Sequence, residues 1–513
     1  MTDVGNSANL YARLAAGFEY QACFLELADG RRYTYGDAER ASAQVANALQ
    51  SLDLLPGDCV AVVAEKSVSL VWLYLGCLRA GMIYQPLNSA YSERELAFFI
   101  ADAGARLVVH DQQLAGRIVA ACAHCEPVPR RLTLDATGTG ELPALWAGAD
   151  ERFVTHHADS DTVAALLYSS GTTGTPKGIP LTHDNLYSNA VALRETWALA
   201  PADVLLHALP FYHVHGLFIT LHPAMLAGMR LRFHARFDAD AVVAGLAGAT
   251  LFAGVPTYYS RLLATPSFGR AACASVRLFI SGSAPLLEST FHEFVERTGQ
   301  VILERYGMTE TGINTSNPLH GERRAGAVGL PLKGVQVRVV DARGVAMPQG
   351  DVGAIEVRGP NVFRAYWRLP EQTAGAFSAD GYFRTGDQGR FDADGYLHIV
   401  GRSKDMIISG GLNVYPKEIE SELDELPGVS ESAVFGVPHP DFGEAVIAAV
   451  IVDGELDDVA ALTYLRGRLA GYKLPKCIVR VSELPRNTMG KVQKSRLRDN
   501  YATLFTADPG TVS

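Results

Sequence analysis

Leu167-Tyr168-Ser169-Ser170-Gly171-Thr172-Thr173-Gly174-Thr175-Pro176-Lys177-Gly178 follows an apolar run, Val163-Ala164-Ala165-Leu166, and precedes Leu181-Thr182-His183-Asp184-Asn185-Leu186, where a helix can start. The loop between strand and helix carries six hydroxyl side chains, three glycines and one lysine. Glycine lets the backbone approach an anion closely, hydroxyl and N–H groups donate to its oxygens, and Lys177 adds charge, so the segment can surround a polyphosphate. It is not a Walker A loop, because the GxxxxGK[ST] spacing is absent. On chemistry alone, a flexible Gly/Thr loop with no ligand accounts for the same residues.

On both sides of this loop the pattern is α/β. Helical stretches over 35–52, 67–80 and 92–103 alternate with strand-like runs at 59–63 and 105–110. The rhythm resumes with strand-like runs at 163–168, 204–209, 230–233, 251–253 and 277–281. Such alternation predicts layered sheets with parallel strands. Between 326 and 400 short strands (335–340, 353–358, 396–400) divided by Gly, Pro and Asp turns predict a β-rich subdomain. After Gly401 the chain becomes mixed α+β, with helices near 416–426 and 459–469 and strands near 431–436 and 445–452. The expected organisation is therefore a large N-terminal α/β domain over 1–401 and a small, mobile α+β domain over 402–513.

Composition narrows the function. A chain of 513 residues, 48% apolar and 19% charged, is long enough for several cores. Its net charge of −10 argues against a nucleic-acid partner. Only nine of the 45 basic residues are Lys, and six of those lie beyond residue 400. Seven widely spread cysteines do not form a disulfide framework and suit a reducing compartment. Cys122-Ala123-His124-Cys125 has CxxC spacing but no second ligand pair, so no metal site is expected there. The first residues lack a basic start and an apolar core, and the apolar run 70–78 is too short to span a bilayer. The expectation is a cytoplasmic protein without a membrane partner.

Four further segments occur in order: Tyr306-Gly307-Met308-Thr309-Glu310, Tyr382-Phe383-Arg384-Thr385-Gly386-Asp387, Gly401-Arg402-Ser403-Lys404-Asp405 and Pro485-Arg486-Asn487-Thr488-Met489-Gly490-Lys491. Together with the 167–178 loop they resemble the signature motifs of the acyl-adenylate-forming superfamily of acyl-CoA synthetases, luciferases and peptide-synthetase adenylation domains. The resemblance covers roughly residues 30–500. Longer stretches at 211–218, 277–287, 304–318 and 411–420 are similar to malonyl-CoA synthetases.

By itself, Lys491 reads as a surface lysine, Asp387 as a turn or helix cap, Arg402 as a solvated charge and Glu310 as an exposed acid. The resemblance implies more. Lys491 would bridge the carboxylate and the α-phosphate of ATP, Asp387 would accept the ribose hydroxyls, and Arg402 would contact ribose or phosphate. Ser169, Ser170, Gly171, Thr172, Thr173, Gly174, Thr175 and Lys177 would cradle phosphates. Gly282, Ser283 and Ala284 would face Glu304, Arg305, Tyr306, Gly307 and Thr309 across the adenine, with Tyr306 stacked on the base. Glu310 and Thr172 would hold Mg²⁺, assisted by Thr173, which joins Lys491, Glu310 and His213 in the catalytic set. His213, in Pro210-Phe211-Tyr212-His213-Val214-His215-Gly216, would face the carboxylate being activated, beside Arg277, Ser281 and Ile313.

For the second half-reaction the resemblance implies a rotating small domain, with Lys404 at the hinge and Gly410, Gly411 and Leu412 beside the pantetheine of coenzyme A. ATP, Mg²⁺ and coenzyme A are thus the expected cofactors and cosubstrate. The expected reaction converts malonate, ATP and CoA to malonyl-CoA, AMP and pyrophosphate through malonyl-AMP. Another short or medium-chain acid, or loading of a carrier protein, is the alternative. A dicarboxylate needs a cationic subsite for its far carboxylate, preferably an arginine, and Arg277, Arg261 and Arg236 are open choices. Ile313 and Val214 are apolar where malonyl-CoA synthetases can carry Met and Thr, which leaves tolerance of methylmalonate open. The surroundings of Lys491 also resemble acetylation-controlled CoA synthetases, implying a lysine acetyltransferase and deacetylase as partners.

Overall fold

The computed structural model describes residues 7–123, 125–169, 176–409, 412–439, 442–487 and 490–505. Two sheets with mainly parallel strands form its large part. The six-stranded sheet takes its central strands from Cys59–Val63, Ile83–Pro86 and Leu107–His110, and ends on the antiparallel pair Val163–Ser169 and Lys177–Thr182 that flanks the hydroxyl-rich loop. All five residues of Cys59–Val63 are buried, as expected of a parallel strand covered on both faces. The nine-stranded sheet runs Val204–His207, Leu251–Gly254, Leu278–Ser281 and Ile302–Met308 side by side and parallel. Sequence periodicity anticipates most of these strands. It does not anticipate that Cys23–Leu27, early in the chain, crosses to the second sheet and pairs in parallel with Arg230–Phe233.

Side-chain caps set the helix boundaries. Thr182 opens helix His183–Thr196 by accepting the Asn185 N–H, while Asn185 returns a bond to Thr182. Ser67 caps Val68–Ala80, which ends on Gly81 in the left-handed region at φ 76°. Ser92 and Glu95 make a reciprocal cap at Glu93–Ala103.

The β-rich subdomain is an antiparallel sheet of Gln336–Val340, Gly353–Arg358, Phe383–Phe391 and Leu397–Arg402. Asp387, read from sequence as a turn or cap residue, instead lies inside the strand Phe383–Phe391, directly opposite Arg402. One continuous core joins side chains of all three sheets, among them Val60, Leu205 and Ile355. Residues 407–505 fill two separate cores around a five-stranded sheet, one including Ile419 and Leu465 and the other Phe435 and Leu497. The long hairpin strands of that sheet are Val429–His439 and Gly443–Val452. Among the described residues no helix is long and apolar enough to cross a membrane.

Candidate active site

Three parallel strands of the large sheet end at one edge with His207, Gly254 and Ser281. Ligands of open α/β sheets bind beyond such carboxyl ends. Ile302–Met308 passes the same edge and folds back as a hairpin onto Gly312–Ser316, delivering Glu304, Arg305 and Tyr306. The turn is tight: a Cβ on Gly307 would lie 1.9 Å from the Gly312 carbonyl oxygen.

Asp387 ties the β-rich sheet to this edge. It receives the Tyr306 hydroxyl at 2.5 Å on Oδ2 and the Arg402 Nε at 3.0 Å on Oδ1. Glu310 is buried, and burial raises its pKa. Its surroundings are charged: Arg402, Lys491 and Asp387 all act on it. Lys491 reaches the same place from the small domain. Burial and Arg402 pull its pKa down to about 8, against the opposing influence of Asp387 and Glu310. Lys491, Asp387, Arg402 and Glu310, which are far apart in sequence, therefore share one site.

The histidine loop supplies the other wall. His213 is half-buried, and its Nδ1 accepts the backbone N–H of His215 at 3.2 Å. The proton of the neutral ring accordingly sits on Nε2, leaving that atom a donor. Burial, with the positive charges of Lys491 and Arg305, holds the pKa of His213 at about 3, so the ring is neutral at ordinary pH. His215 meets the Ser283 hydroxyl through Nδ1 at 3.2 Å. Ser283 itself has φ 75°, a left-handed conformation rare for a residue with a side chain.

Arg305 is the least compensated charge in the site. It is 6% exposed, and its Nε and Nη2 have no hydrogen-bond partner among the described residues. Burial pulls its pKa down to about 10. The guanidinium lies against Gly282, where an added Cβ would sit 2.3 Å from Cζ, so residue 282 must be glycine for the arginine to stay. The resemblance groups Arg305 with the nucleotide, yet its charge acts on His213 and His215, the loop that the resemblance sets against the carboxylate. Nearby the His215 Nε2 and Ser281 Oγ are also buried without partners among the described residues, as is Glu304 Oε1 on the neighbouring strand. Burial moves the Glu304 carboxyl up to about 8. Orphaned polar atoms of this kind call for a polar ligand or water.

Arg277 is a correction. It stands at the opposite end of its strand from Ser281, four residues or about 13 Å away along an extended chain. There it donates to both carboxylate oxygens of Asp203, at 2.8 and 2.7 Å, and to the carbonyls of Trp197 and Ala198. Its charge is spent on a structural pair, so it cannot hold a substrate. Ile313 is buried, and its backbone is held on both sides by the Asn189 amide. Thr309 occupies the turn after Met308 and is half-buried, as is Ala284. Lys404 is exposed in the single turn Ser403–Asp405, between the β-rich sheet and the strand Ile407–Ser409. Leu412 is exposed beside that strand. Ser170, Gly171, Thr172, Thr173, Gly174, Thr175, Gly410 and Gly411 lie outside the described residues, as does the Ser169 side chain.

Tyr366 belongs to the site and had no signal in the sequence reading. Its hydroxyl faces the Glu310 carboxylate, which with burial raises the phenol pKa. Lys177 sits over its ring, 4.8 Å from the centroid. The next residue, Trp367, donates its backbone N–H to Gly178 at 2.8 Å, fastening this segment to the strand that leaves the phosphate loop. Among the described residues no three His, Cys, Asp or Glu side chains form a metal site, so a Mg²⁺ ion held through Glu310 would need oxygen ligands from phosphate or water.

Residues 12–367 match the AMP-binding enzyme family, and residues 418–491 match the AMP-binding enzyme C-terminal domain. A feruloyl-CoA synthase from Amycolatopsis sp is 37% identical, over 92% of this chain and 94% of its own. A sulfoacetate–CoA ligase from Cupriavidus necator is 36% identical over 96% and 97%, and a malonate–CoA ligase from Arabidopsis thaliana 34% identical over 92% and 85%. The crystal structure of ATP-bound MatB from Rhodopseudomonas palustris superimposes with a TM-score of 0.95 at 48% identity, covering 98% of this chain and 100% of that one. With its nucleotide-family match over most of its length and its relatives named as CoA ligases, the chain belongs to the AMP-binding enzyme family and is an AMP-forming acyl-CoA synthetase.

Proposed function

We propose that this enzyme is a malonyl-CoA synthetase, forming malonyl-CoA, AMP and pyrophosphate from malonate, ATP and CoA through malonyl-AMP. The observation that carries this reading is the buried guanidinium of Arg305, unpartnered at Nε and Nη2 on the carboxylate side of the site. A buried cation without a partner is costly, and an anionic group on the substrate relieves that cost. A short acid with a second negative charge supplies it, whereas a purely apolar tail does not. The similarity to a malonate–CoA ligase supports the choice of malonate. A sulfonate could meet the same arginine, which is why sulfoacetate is the competing substrate.

In this reading the His213 Nε2–H donates to the carboxylate being activated and leaves it ionised as the nucleophile. The Lys491 ammonium lies between that carboxylate and the α-phosphate, offsetting the repulsion of two anions as the new O–P bond forms and pyrophosphate leaves. Asp387 accepts the ribose hydroxyls, with Arg402 and Tyr306 orienting its two oxygens. Mg²⁺, when bound through Glu310 and phosphate oxygens, neutralises polyphosphate charge. Arg402 stays with the β-rich sheet through its pairing with Asp387, and the residues beyond Lys404 act as a mobile unit about it. Their rotation withdraws Lys491 and brings Leu412 toward pantetheine, so the CoA thiol can attack the acyl carbon and expel AMP.

The test is pyrophosphate exchange and thioester formation with malonate, methylmalonate, succinate, sulfoacetate, acetate, octanoate and ferulate side by side. Malonate is expected to give the highest kcat/KM. Replacing Arg305 by Met should lower that value by about a hundredfold, the loss of a buried charge-assisted pair. Higher kcat/KM with ferulate or octanoate would refute the malonate reading.

A further inference from the structure

Lys66 is a buried cation outside the site described above. It follows the strand Cys59–Val63 of the six-stranded sheet and is 6% exposed. No carboxylate pairs with it among the described residues. Its Nζ instead touches three acceptors of the other large sheet: His207 Nδ1 at 2.8 Å, the His207 carbonyl at 2.9 Å and the His234 carbonyl at 2.7 Å. Two ring faces, Phe211 and Phe233, complete the shell at 5.0 and 4.5 Å.

The tautomer of His207 follows from its far side. Its Nε2 lies 2.8 Å from the Gly216 carbonyl, which can only accept, and 2.9 Å from the Thr220 hydroxyl. Nε2 must therefore carry the proton, and Nδ1 is an acceptor. Burial without an ion-pair partner pulls the Lys66 pKa well below the usual lysine value, but three acceptors around Nζ need three hydrogens, so the hydrogen bonding opposes that pull: it fits an ammonium and leaves a neutral amine one donor short. Gly216 closes the loop that carries His213: an added Cβ there would lie 2.0 Å from the Pro210 carbonyl oxygen. The Leu217 N–H binds the His213 carbonyl at 3.1 Å.

We propose that Lys66 is a positioning residue for the carboxylate subsite: as a buried ammonium it holds His207 in the tautomer that anchors Gly216 and Thr220, and so aims His213. The proposal rests on His213 facing the carboxylate and not on the identity of the acid. It also gives Lys66 a second task, fastening the two large sheets to each other beneath the histidine loop.

The experiment measures pyrophosphate exchange in the full-length enzyme carrying Lys66→Met, whose apolar side chain suits the Phe211 and Phe233 faces. The KM for malonate is expected to rise about tenfold while the KM for ATP stays within about twofold, because only the carboxylate donor is misaimed. Adding His207→Phe to Lys66→Met should change the malonate KM by less than about twofold, since both act through one path. Thr220→Val, which cuts the far end of that path, makes the same comparison should Lys66→Met fail to fold. Equal changes in both KM values, an unchanged malonate KM, or multiplicative effects in the double variant would overturn the proposal. A wrong choice of malonate would appear separately, as wild-type exchange with another acid, and the KM comparison is then made with that acid.

Discussion

Asp387 and Arg402 face each other across two antiparallel strands of the β-rich sheet, with Arg402 Nε 3.0 Å from Asp387 Oδ1, while Tyr306 reaches the other oxygen from a different sheet. The aspartate is thus buried and oriented before any nucleotide arrives. Replacing Asp387 by Asn removes the charge and leaves Arg402 unpaired. The KM for ATP in pyrophosphate exchange is expected to rise by about 10- to 100-fold, corresponding to a charged hydrogen bond of about 1.5–3 kcal/mol.

In the proposed function Lys491 acts as an ammonium, and its pKa in the unliganded enzyme is pulled down to about 8. Raising the pH through that value removes the charge, so kcat/KM for adenylation should fall above it, approaching about tenfold per pH unit. Lys491→Ala should abolish adenylation while sparing attack of CoA on supplied malonyl-AMP. Acetylated Lys491 should behave as the alanine variant does. Loss of both half-reactions together would contradict this division of labour.

Gly282 leaves room for the Arg305 guanidinium and for nothing larger. In Gly282→Ala the new Cβ would fall 2.3 Å from Arg305 Cζ. Overpacking of this kind costs about 1–3 kcal/mol, seen as a lower midpoint in urea. A malonate KM raised more than the ATP KM should accompany it, because the displaced group is the one that the proposed function sets against the acid.

Arg277 separates stability from catalysis. Its pair with Asp203, whose side chain is 8% exposed, is a structural contact. Arg277→Met is expected to destabilise the fold by about 1–3 kcal/mol, from an acid left buried and unpaired, with KM for malonate unchanged. Denaturation and steady-state kinetics on one preparation check both halves.

Tyr366 joins Glu310 and Lys177 through different parts of one side chain. Tyr366→Phe keeps the ring beneath Lys177 but loses the hydroxyl facing Glu310, and exchange should fall only about two- to fivefold. Tyr366→Leu loses both contacts, and pyrophosphate exchange is expected to fall about tenfold, from two interactions of about 0.5–1 kcal/mol each. Wild-type activity in both variants would assign Tyr366 to packing alone.

Much of this was legible in the residues. Alternating apolar runs act over a few positions, so periodicity places the strands Cys59–Val63 and Leu278–Ser281 nearly where they lie, and the segment 181–186 marks the start of the helix His183–Thr196 but not its end. The signature segments likewise carry the family, because phosphate, ribose and base each demand particular residue types in short runs.

Other assignments depended on which distant segments meet. Arg277 and Arg305 are both arginines beside family motifs, and nothing local distinguishes them. Only the packed sheet shows that Arg277 ends at Asp203, while Arg305 ends beside Gly282 with two donors unpaired. Lys66 and Tyr366 carry no motif, and their partners lie in other sheets or loops, more than 50 residues away in sequence. Chemistry of short range is written in neighbouring residues and can be read from them. The charge state, tautomer and pairing of a buried group depend on what lies within about 4 Å in three dimensions, which packing of the whole chain alone decides.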